Sequence, residues 1–280
     1  MFNISIVIYK NDFDSLINNI NSFIDSNLIK KLFIIDNSPN DDLKKIKNIN
    51  IKIEYIFNPS NPGYGVSHNI AIRKSINSSI KYHIVLNPDV YCKKDVLEEL
   101  YDFMERNKDI GLVMPQVLYN DDSIQYLCKL LPYPIDLFGR RFLDFWPFKK
   151  IMKKRKELYE LRFTKYDSIM EPPYLSGCFM FLRVDALKKV GIFDERFFMY
   201  LEDTDLSRRI HKKYKTVFYP KVFIYHDYAK GSYKNFKLLK YHMQSTIKYF
   251  NKWGWFFDEE RKKMNDEFLK NFKNERIKLN

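Results

Sequence analysis

The sequence predicts an α/β fold, a mostly parallel central sheet flanked by helices, with a helical extension at the C-terminus. Three observations predict it. Short apolar runs alternate with amphipathic stretches through the first half of the chain, the pattern of buried parallel strands covered by helices. Turn-forming residues, Asp36-Asn37-Ser38-Pro39 and Asn87-Pro88-Asp89, close two of those runs at their carboxyl ends. From about Asn235 onward the apolar period is helical.

In chain order, Ile4 to Tyr9 is an apolar run and reads as the first buried strand. Asp12 then opens a helix whose Phe13, Leu16, Ile17, Ile20 and Ile24 recur at helical spacing. Leu32 to Ile35 predicts a second strand ending at the Asp36 turn. Ile51 to Phe57 predicts a third from its alternation of apolar and polar residues. Pro59, Pro62, Gly63 and Gly65 break the chain before a helix from about Val66 to Ile76. Tyr82 to Leu86 predicts a fourth strand, and a helix over Lys94 to Arg106 and a strand at Gly111 to Met114 follow. Gly177 to Arg183 predicts a strand, Val184 onward a short helix and Glu202 to Tyr214 a longer one. Thr216 to Tyr225 predicts a strand or hairpin ending at His226. Phe236, Leu239, Met243, Ile247 and Phe250 then share one helix face, and the polar tail after Asp258 predicts a further helix. The expected organisation is a main domain over 1–230 and a helical extension over 231–280.

Leu127 to Glu171 departs from this rhythm. Arg140, Arg141, Lys149, Lys150, Lys153, Lys154, Arg155 and Lys156 stand there among Phe138, Phe142, Phe145, Trp146, Phe148, Ile151 and Met152. Aromatic side chains beside dense Lys and Arg suit an anionic membrane surface. The other reading is a segment packed on the domain with solvated lysines.

The 280 residues, 45% of them apolar, suffice for one large domain. The formal net charge of +13 points to an anionic partner: nucleic acid, an anionic membrane or a phosphorylated small molecule. No nucleic-acid motif accompanies the lysines, and a dense acidic cluster opposes phosphate-backbone binding, so no nucleic-acid partner is expected. Cys92, Cys128 and Cys178 have neither metal-ligand nor redox spacing and read as buried thiols. Neither a leader-like N-terminus nor an apolar run long enough to span a bilayer is visible, which predicts a cytoplasmic protein.

In parallel sheets ligands bind at the carboxyl ends of strands, so Asp36 and Asp89 are candidates to share one crevice. Each also has a plain structural reading as a turn-former. Asp89 suits Mg²⁺ or Mn²⁺, which favour carboxylate oxygen, and His226 closes a later strand where a nitrogen ligand suits Mn²⁺ better. Glu202-Asp203-Thr204-Asp205 places three carboxylates at a helix start, where acids complement the dipole and where a carboxylate stays ionised as a general base requires. Arg208 or Arg209, further along that helix, is a candidate for a diphosphate. The loop from Asn58 to Gly65 is a weak match to a phosphate-binding loop and reads first as a tight turn.

In order, Ile6-Val7-Ile8-Tyr9, Ile35-Asp36-Asn37-Ser38, Asn61-Pro62-Gly63-Tyr64-Gly65 with His68-Asn69, Leu86-Asn87-Pro88-Asp89, Leu175-Ser176-Gly177, Gly191-Ile192-Phe193-Asp194-Glu195, Phe198 to Leu206 with Arg209, Tyr219-Pro220 and His226 resemble the family-2 glycosyltransferases, especially their bacterial rhamnosyltransferase-like branch. The resemblance implies the nucleotide-diphospho-sugar transferase (GT-A-like) fold and an inverting transfer from a nucleoside-diphosphate sugar, dTDP-L-rhamnose or a UDP-hexose. The acceptor it implies is a hydroxyl of a glycan or lipid-linked glycan, in surface polysaccharide synthesis such as O-antigen. It implies Asp203 as catalytic base with Glu202 beside it, and Mn²⁺ or Mg²⁺ held by Asp89 and His226. Donor binding would fall to Tyr9, Asp36, Asn61, Gly63, His68, Asn87 and Arg209. Asn87 departs from the family's more usual Asp, and Tyr214 stands where the family often has Gly. The basic aromatic segment adds the expectation of a peripheral position on the inner face of the cell membrane. A sugar nucleotidyltransferase shares the fold class, but its Gly-rich, basic loop is missing after Tyr9.

Overall fold

The computed structural model describes residues 1–139, 147–227 and 236–279, the last few (275–279) as backbone only. Arg140, Arg141, Phe142, Phe145, Trp146 and Asn235, named above, lie outside the described residues.

Four parallel strands form one half of the sheet: β1 (Phe2–Ile8), β2 (Ile29–Asp36), β3 (Ile53–Phe57) and β4 (Tyr82–Leu86). With β5 (Val90–Tyr91), β6 (Ile110–Leu118), β9 (Phe179–Arg183) and β10 (Lys215–His226) they make an eight-stranded sheet ordered β3-β2-β1-β4-β9-β6-β10-β5. β9 runs antiparallel to both β4 and β6, pairing Phe179 with Leu86. The residues leading into β9 therefore sit over the carboxyl end of β4. β10 runs parallel to β6, so its own carboxyl end, His226, reaches the same edge of the sheet. A separate two-stranded pair joins β7 (Cys128–Lys129) to β8 (Tyr174–Leu175).

Asp12 caps α1 (Phe13–Asn21), its side chain accepting from Ser15 N. α2 (Tyr64–Ile76), α3 (Lys94–Arg106), α4 (Lys149–Tyr159), α5 (Val184–Val190) and α6 (Glu202–His211) follow. The helix expected to reach Tyr214 ends at His211, and β10 is one long strand rather than a hairpin. Its pairing with β6 slips between Tyr219 and Phe223, where Pro220 has no N–H to give the ladder.

The core holds more polarity than the apolar pattern of β1 suggested. Asn3 Nδ2 donates to Ser75 Oγ, which meets His83 Nδ1; His83 Nε2 and His68 Nδ1 share Ser5 Oγ. All five residues are buried, and the alternate positions Asn3 and Ser5 put both on one face of β1. The three cysteines are buried thiols.

The C-terminal helices, α7 (Phe236–Trp253) and α8 (Glu259–Leu279), share the core of the main domain. Tyr249 and Phe250 pack on Phe197 and Leu201, and Phe268 joins the central cluster. Arg208 is buried over the Trp253 ring and makes a bidentate pair with Asp258, both bonds 2.6 Å. Among the described residues no helix is long and apolar enough to cross a membrane.

Candidate active site

His226 ends β10 beside Asp89, its Nε2 lying 3.3 Å from Asp89 Oδ1. Gln125 decides what that contact is. Its Nε2 donates to His226 O (2.6 Å) and Leu118 O (3.2 Å), which fixes the amide orientation. Its Oε1 therefore faces His226 Nδ1 at 3.0 Å and must accept, so Nδ1 carries the proton. In the neutral ring Nε2 then presents a lone pair to a carboxylate oxygen. That oxygen, Asp89 Oδ1, is buried and has no hydrogen-bond partner. Two electron-pair donors facing one another fit a cation, and a ring nitrogen oriented by a hydrogen bond from its other nitrogen is the usual arrangement of a metal-binding histidine. Among the described residues no third His, Cys, Asp or Glu joins them. A metal there would complete its shell with diphosphate and water oxygens.

A chain of short contacts leads from this corner to the acidic helix start. Asn87 Nδ2 lies 3.5 Å from His226 Nε2, and Asn87 Oδ1 lies 3.0 Å from Tyr64 OH. Tyr64 OH also lies 2.7 Å from Gly177 O. Gly177 N donates to Asp203 Oδ2 at 2.8 Å. Tyr174 OH adds a bond to the same oxygen, and Thr204 N donates to Oδ1 at 2.7 Å. Glu202 beside it is different: it is buried, its Oε2 has no partner, and burial followed by the charge of Asp203 pushes its carboxyl well above the usual range. Three donors thus converge on Asp203, while burial and the neighbouring carboxylate favour the protonated form of Glu202. Asp89 and Asp203, over a hundred residues apart in sequence, are thus linked by one chain of contacts at the carboxyl edge of the sheet.

The sequence profile described as "Glycosyl transferase family 2" matches residues 5–191. The chain belongs to that family. Rhamnosyltransferase WbbL of Escherichia coli (strain K12) is 25% identical over 228 residues, covering 78% of this chain and 81% of that protein. N-acetylglucosaminyl-diphospho-decaprenol L-rhamnosyltransferase of Mycobacterium tuberculosis is 30% identical over 152 residues, 53% of this chain and 48% of that one. Among solved structures, GalNAc-T7 with UDP, GalNAc and Mn²⁺ superposes with a TM-score of 0.60 at 16% identity, over 81% of this chain and 43% of that chain. S. aureus TarS 1–349 superposes at 0.55 and 13% identity, over 96% of this chain and 70% of its own. The fold is of the GT-A glycosyltransferase type.

In this family-2 chain the other expected donor-binding residues fall into two groups. Tyr9 is half-exposed just past the end of β1, and Asn61 takes a positive φ of 43° in the loop before α2. Asp36 is buried at the end of β2, accepting from Ser38 N and Tyr55 OH. Asn87 lies within the chain of contacts. The second group is structural. His68 is fully buried in the β1 network, where Nδ1 meets Ser5 Oγ and Nε2 has no hydrogen-bond partner. Arg209 bonds Asp205 and the carbonyls of Val190, Gly191 and Ile192, which ties α6 to the turn after α5. Gly63 has φ 106°, and a Cβ there would lie 2.1 Å from Phe198 O, so glycine is needed for a close backbone approach. Asp205 is likewise structural, held by Arg209, Lys252 and Trp253 Nε1. Sequence reasoning missed Gln125 and Tyr174. Neither carries a motif; only the fold brings them to His226 and Asp203.

Proposed function

We propose that this chain is an inverting, divalent-metal-dependent glycosyltransferase of surface polysaccharide synthesis. It moves a sugar from a nucleoside-diphosphate donor to a hydroxyl of a lipid-linked glycan at the inner face of the cell membrane. The observation that carries the reading is the contact chain joining Asp89 and His226 to Asp203 through Asn87, Tyr64 and Gly177. The names of the two rhamnosyltransferase relatives support dTDP-L-rhamnose as donor, and that of the mycobacterial one supports a polyprenyl-diphosphate-linked acceptor. A "Low-salt glycan biosynthesis hexosyltransferase Agl10" of Haloferax volcanii, 25% identical over 211 residues, keeps a UDP-hexose as the alternative donor.

Asp89 and His226 would hold Mn²⁺ or Mg²⁺, with Mn²⁺ favoured by the imidazole. When bound, the ion supplies charge stabilisation at the departing diphosphate. Asp203 accepts the proton of the acceptor hydroxyl as that oxygen bonds to the anomeric carbon and the carbon–diphosphate oxygen bond breaks. Attack opposite the leaving group inverts the anomeric centre. Gly177 N, Tyr174 OH and Thr204 N fix the orientation of the base, and Tyr9 and Asp36 meet the nucleoside. Burial and the neighbouring Asp203 push the Glu202 carboxyl well above its ordinary range, which favours Asp203 over Glu202 as the base.

Asp203→Asn keeps the shape and the three donors' neighbourhood but cannot take a proton. Transfer should fall by about 10²–10⁴-fold, the usual worth of a general base. Calorimetric titration with nucleotide-sugar and Mn²⁺ should show donor affinity nearly unchanged. A parallel collapse of donor binding would remove Asp203 from the role of base.

A further inference from the structure

A second feature lies away from the cleft. The turn between α7 and α8 displays two consecutive phenylalanines, Phe256 at 75% and Phe257 at 93% exposure. Such display is costly in water, and here it is built in. Fully buried Arg261 donates to the carbonyls of Gly254, Trp255 and Phe256, and to Pro132 O across the gap. Gly254, at φ 100°, allows the tight return, since a Cβ there would lie 2.8 Å from Phe257 O. The turn is therefore rigid and aimed outward.

Phe256 also lines a cavity of about 430 Å³ with Ile135, Leu158 and Leu269. On α4, Ile151 (60% exposed) and Leu158 lie two turns apart and form an exposed apolar stripe. Lys150 and Lys154, both exposed, stand one row from that stripe. Arg155 fastens α4 to the 135–139 turn through a bidentate bond to Asp136, which fixes the helix beside the phenylalanines. At the inner wall Leu131 packs on Tyr174, whose hydroxyl touches Asp203. The apolar face is thus joined to Asp203 through Leu131 and Tyr174.

We infer that Phe256, Phe257, Ile151 and Leu158, flanked by Lys150 and Lys154, form the face that docks on an anionic lipid bilayer. Charge complementarity identifies the occupant: phenylalanine tips enter the headgroup boundary while adjacent lysines meet anionic lipid. This rests on the membrane position proposed above and names its geometry. The contact is carried jointly by α4 and the interhelical turn, rather than by the segment before residue 171 alone. Docking this way would place the cleft beside the bilayer, where a lipid-linked hydroxyl is presented.

Sedimentation with vesicles of phosphatidylcholine plus phosphatidylglycerol, against phosphatidylcholine alone, tests the inference on the full chain. The parent should bind the anionic vesicles more tightly. Phe256→Ser with Phe257→Ser, and separately Lys150→Glu with Lys154→Glu, should each lose at least about tenfold in vesicle affinity. Donor binding and thermal midpoint should stay near the parent's, because these side chains are exposed and outside the cleft. Phe257→Trp should bind as the parent does, and its added indole emission should shift to the blue on anionic vesicles. Undiminished binding by both double variants, with no spectral shift, overturns the face while leaving membrane association standing. A parent that ignores both vesicle types overturns membrane association itself. Phenylalanine-dependent self-association without lipid binding reassigns the patch to a second copy of the chain and also overturns the inference.

Discussion

Gln125 is buried and spends every polar atom on its neighbours, two carbonyls on one side and His226 Nδ1 on the other. A leucine there would fill similar space but free the imidazole to take either tautomer. Gln125→Leu should weaken Mn²⁺ binding in the presence of nucleoside diphosphate by about 10–100-fold, the usual worth of such a supporting residue. Manganese paramagnetic resonance reads the free ion directly, without reference to turnover; unchanged affinity would show that another group orients the ring. Glu202 offers a second test at this scale. Its folded carboxyl titrates well above the ordinary value of 4.5, so the unfolded chain releases that proton first as pH rises. The folded state then binds more protons than the unfolded, and its stability declines above pH 4.5 until Glu202 itself ionises. Glu202→Gln should remove this loss, gaining on the parent by about 1.4 kcal/mol per pH unit across the window. Denaturant midpoints that run parallel for both proteins would mean that Glu202 is already ionised. Both residues show the limit of reading single positions. The positions of Asp36 and His226 at strand ends, of Asp89 in the turn after β4 and of Asp203 at a helix start were legible. The contacts of His68 with Ser5 and of Arg209 with the Val190 and Ile192 carbonyls were not legible, because their partners are set by the fold and not by neighbouring sequence.

Among elements, the regular ones were legible and the irregular ones were not. β1, β2, β4 and α3 follow their hydrophobic periods closely. Nothing local sets the direction of β9, which pairing with β4 and β6 decides, and the two-residue strands β5, β7 and β8 are too short to show a period. The C-terminal helices looked like an appendage, yet α6 holds them through Arg208, Asp258, Asp205 and Trp253. This contact has a measurable cost. Arg208 and Asp258 are both almost wholly buried, so Asp258→Ala removes both short bonds of the guanidinium and leaves Glu260, at 3.3 Å, as its carboxylate contact. Breaking one half of a buried pair costs about 3–5 kcal/mol. Urea unfolding should show a loss of that size, largely recovered when Arg208→Met is added, since an apolar side chain there needs no partner. A loss below about 1 kcal/mol would mean that water or Glu260 takes over the charge.

The whole molecule carries a formal charge of +13 and holds three histidines whose neutral forms the fold enforces. Burial lowers His68 well below its ordinary 6.5, His83 to about 3 and His211 to about 4; for His68 the nearby His83 adds to the effect. Their side chains lie at β4, in α2 and at the end of α6, so no local rearrangement relieves all three. Below pH 6.5 the unfolded chain takes up protons that the folded chain refuses. More protons bound when unfolded means that stability rises with pH, and is lost as pH falls through this window. Each histidine contributes a slope of about 1.4 kcal/mol per pH unit once the unfolded imidazole is mostly charged. Glu202 works in the opposite sense, so stability should peak near the ordinary histidine value instead of near the basic isoelectric point. Self-repulsion of a basic chain also grows on acidification, but added salt screens it and leaves proton uptake intact. Unfolding measured at high salt should therefore still weaken steeply between about pH 6.5 and 5, and His83→Gln should make the slope shallower by one histidine's share. A stability that stays flat through that interval would mean that the buried network opens to admit protons, and that the polar core under β1 is looser than its hydrogen bonds imply.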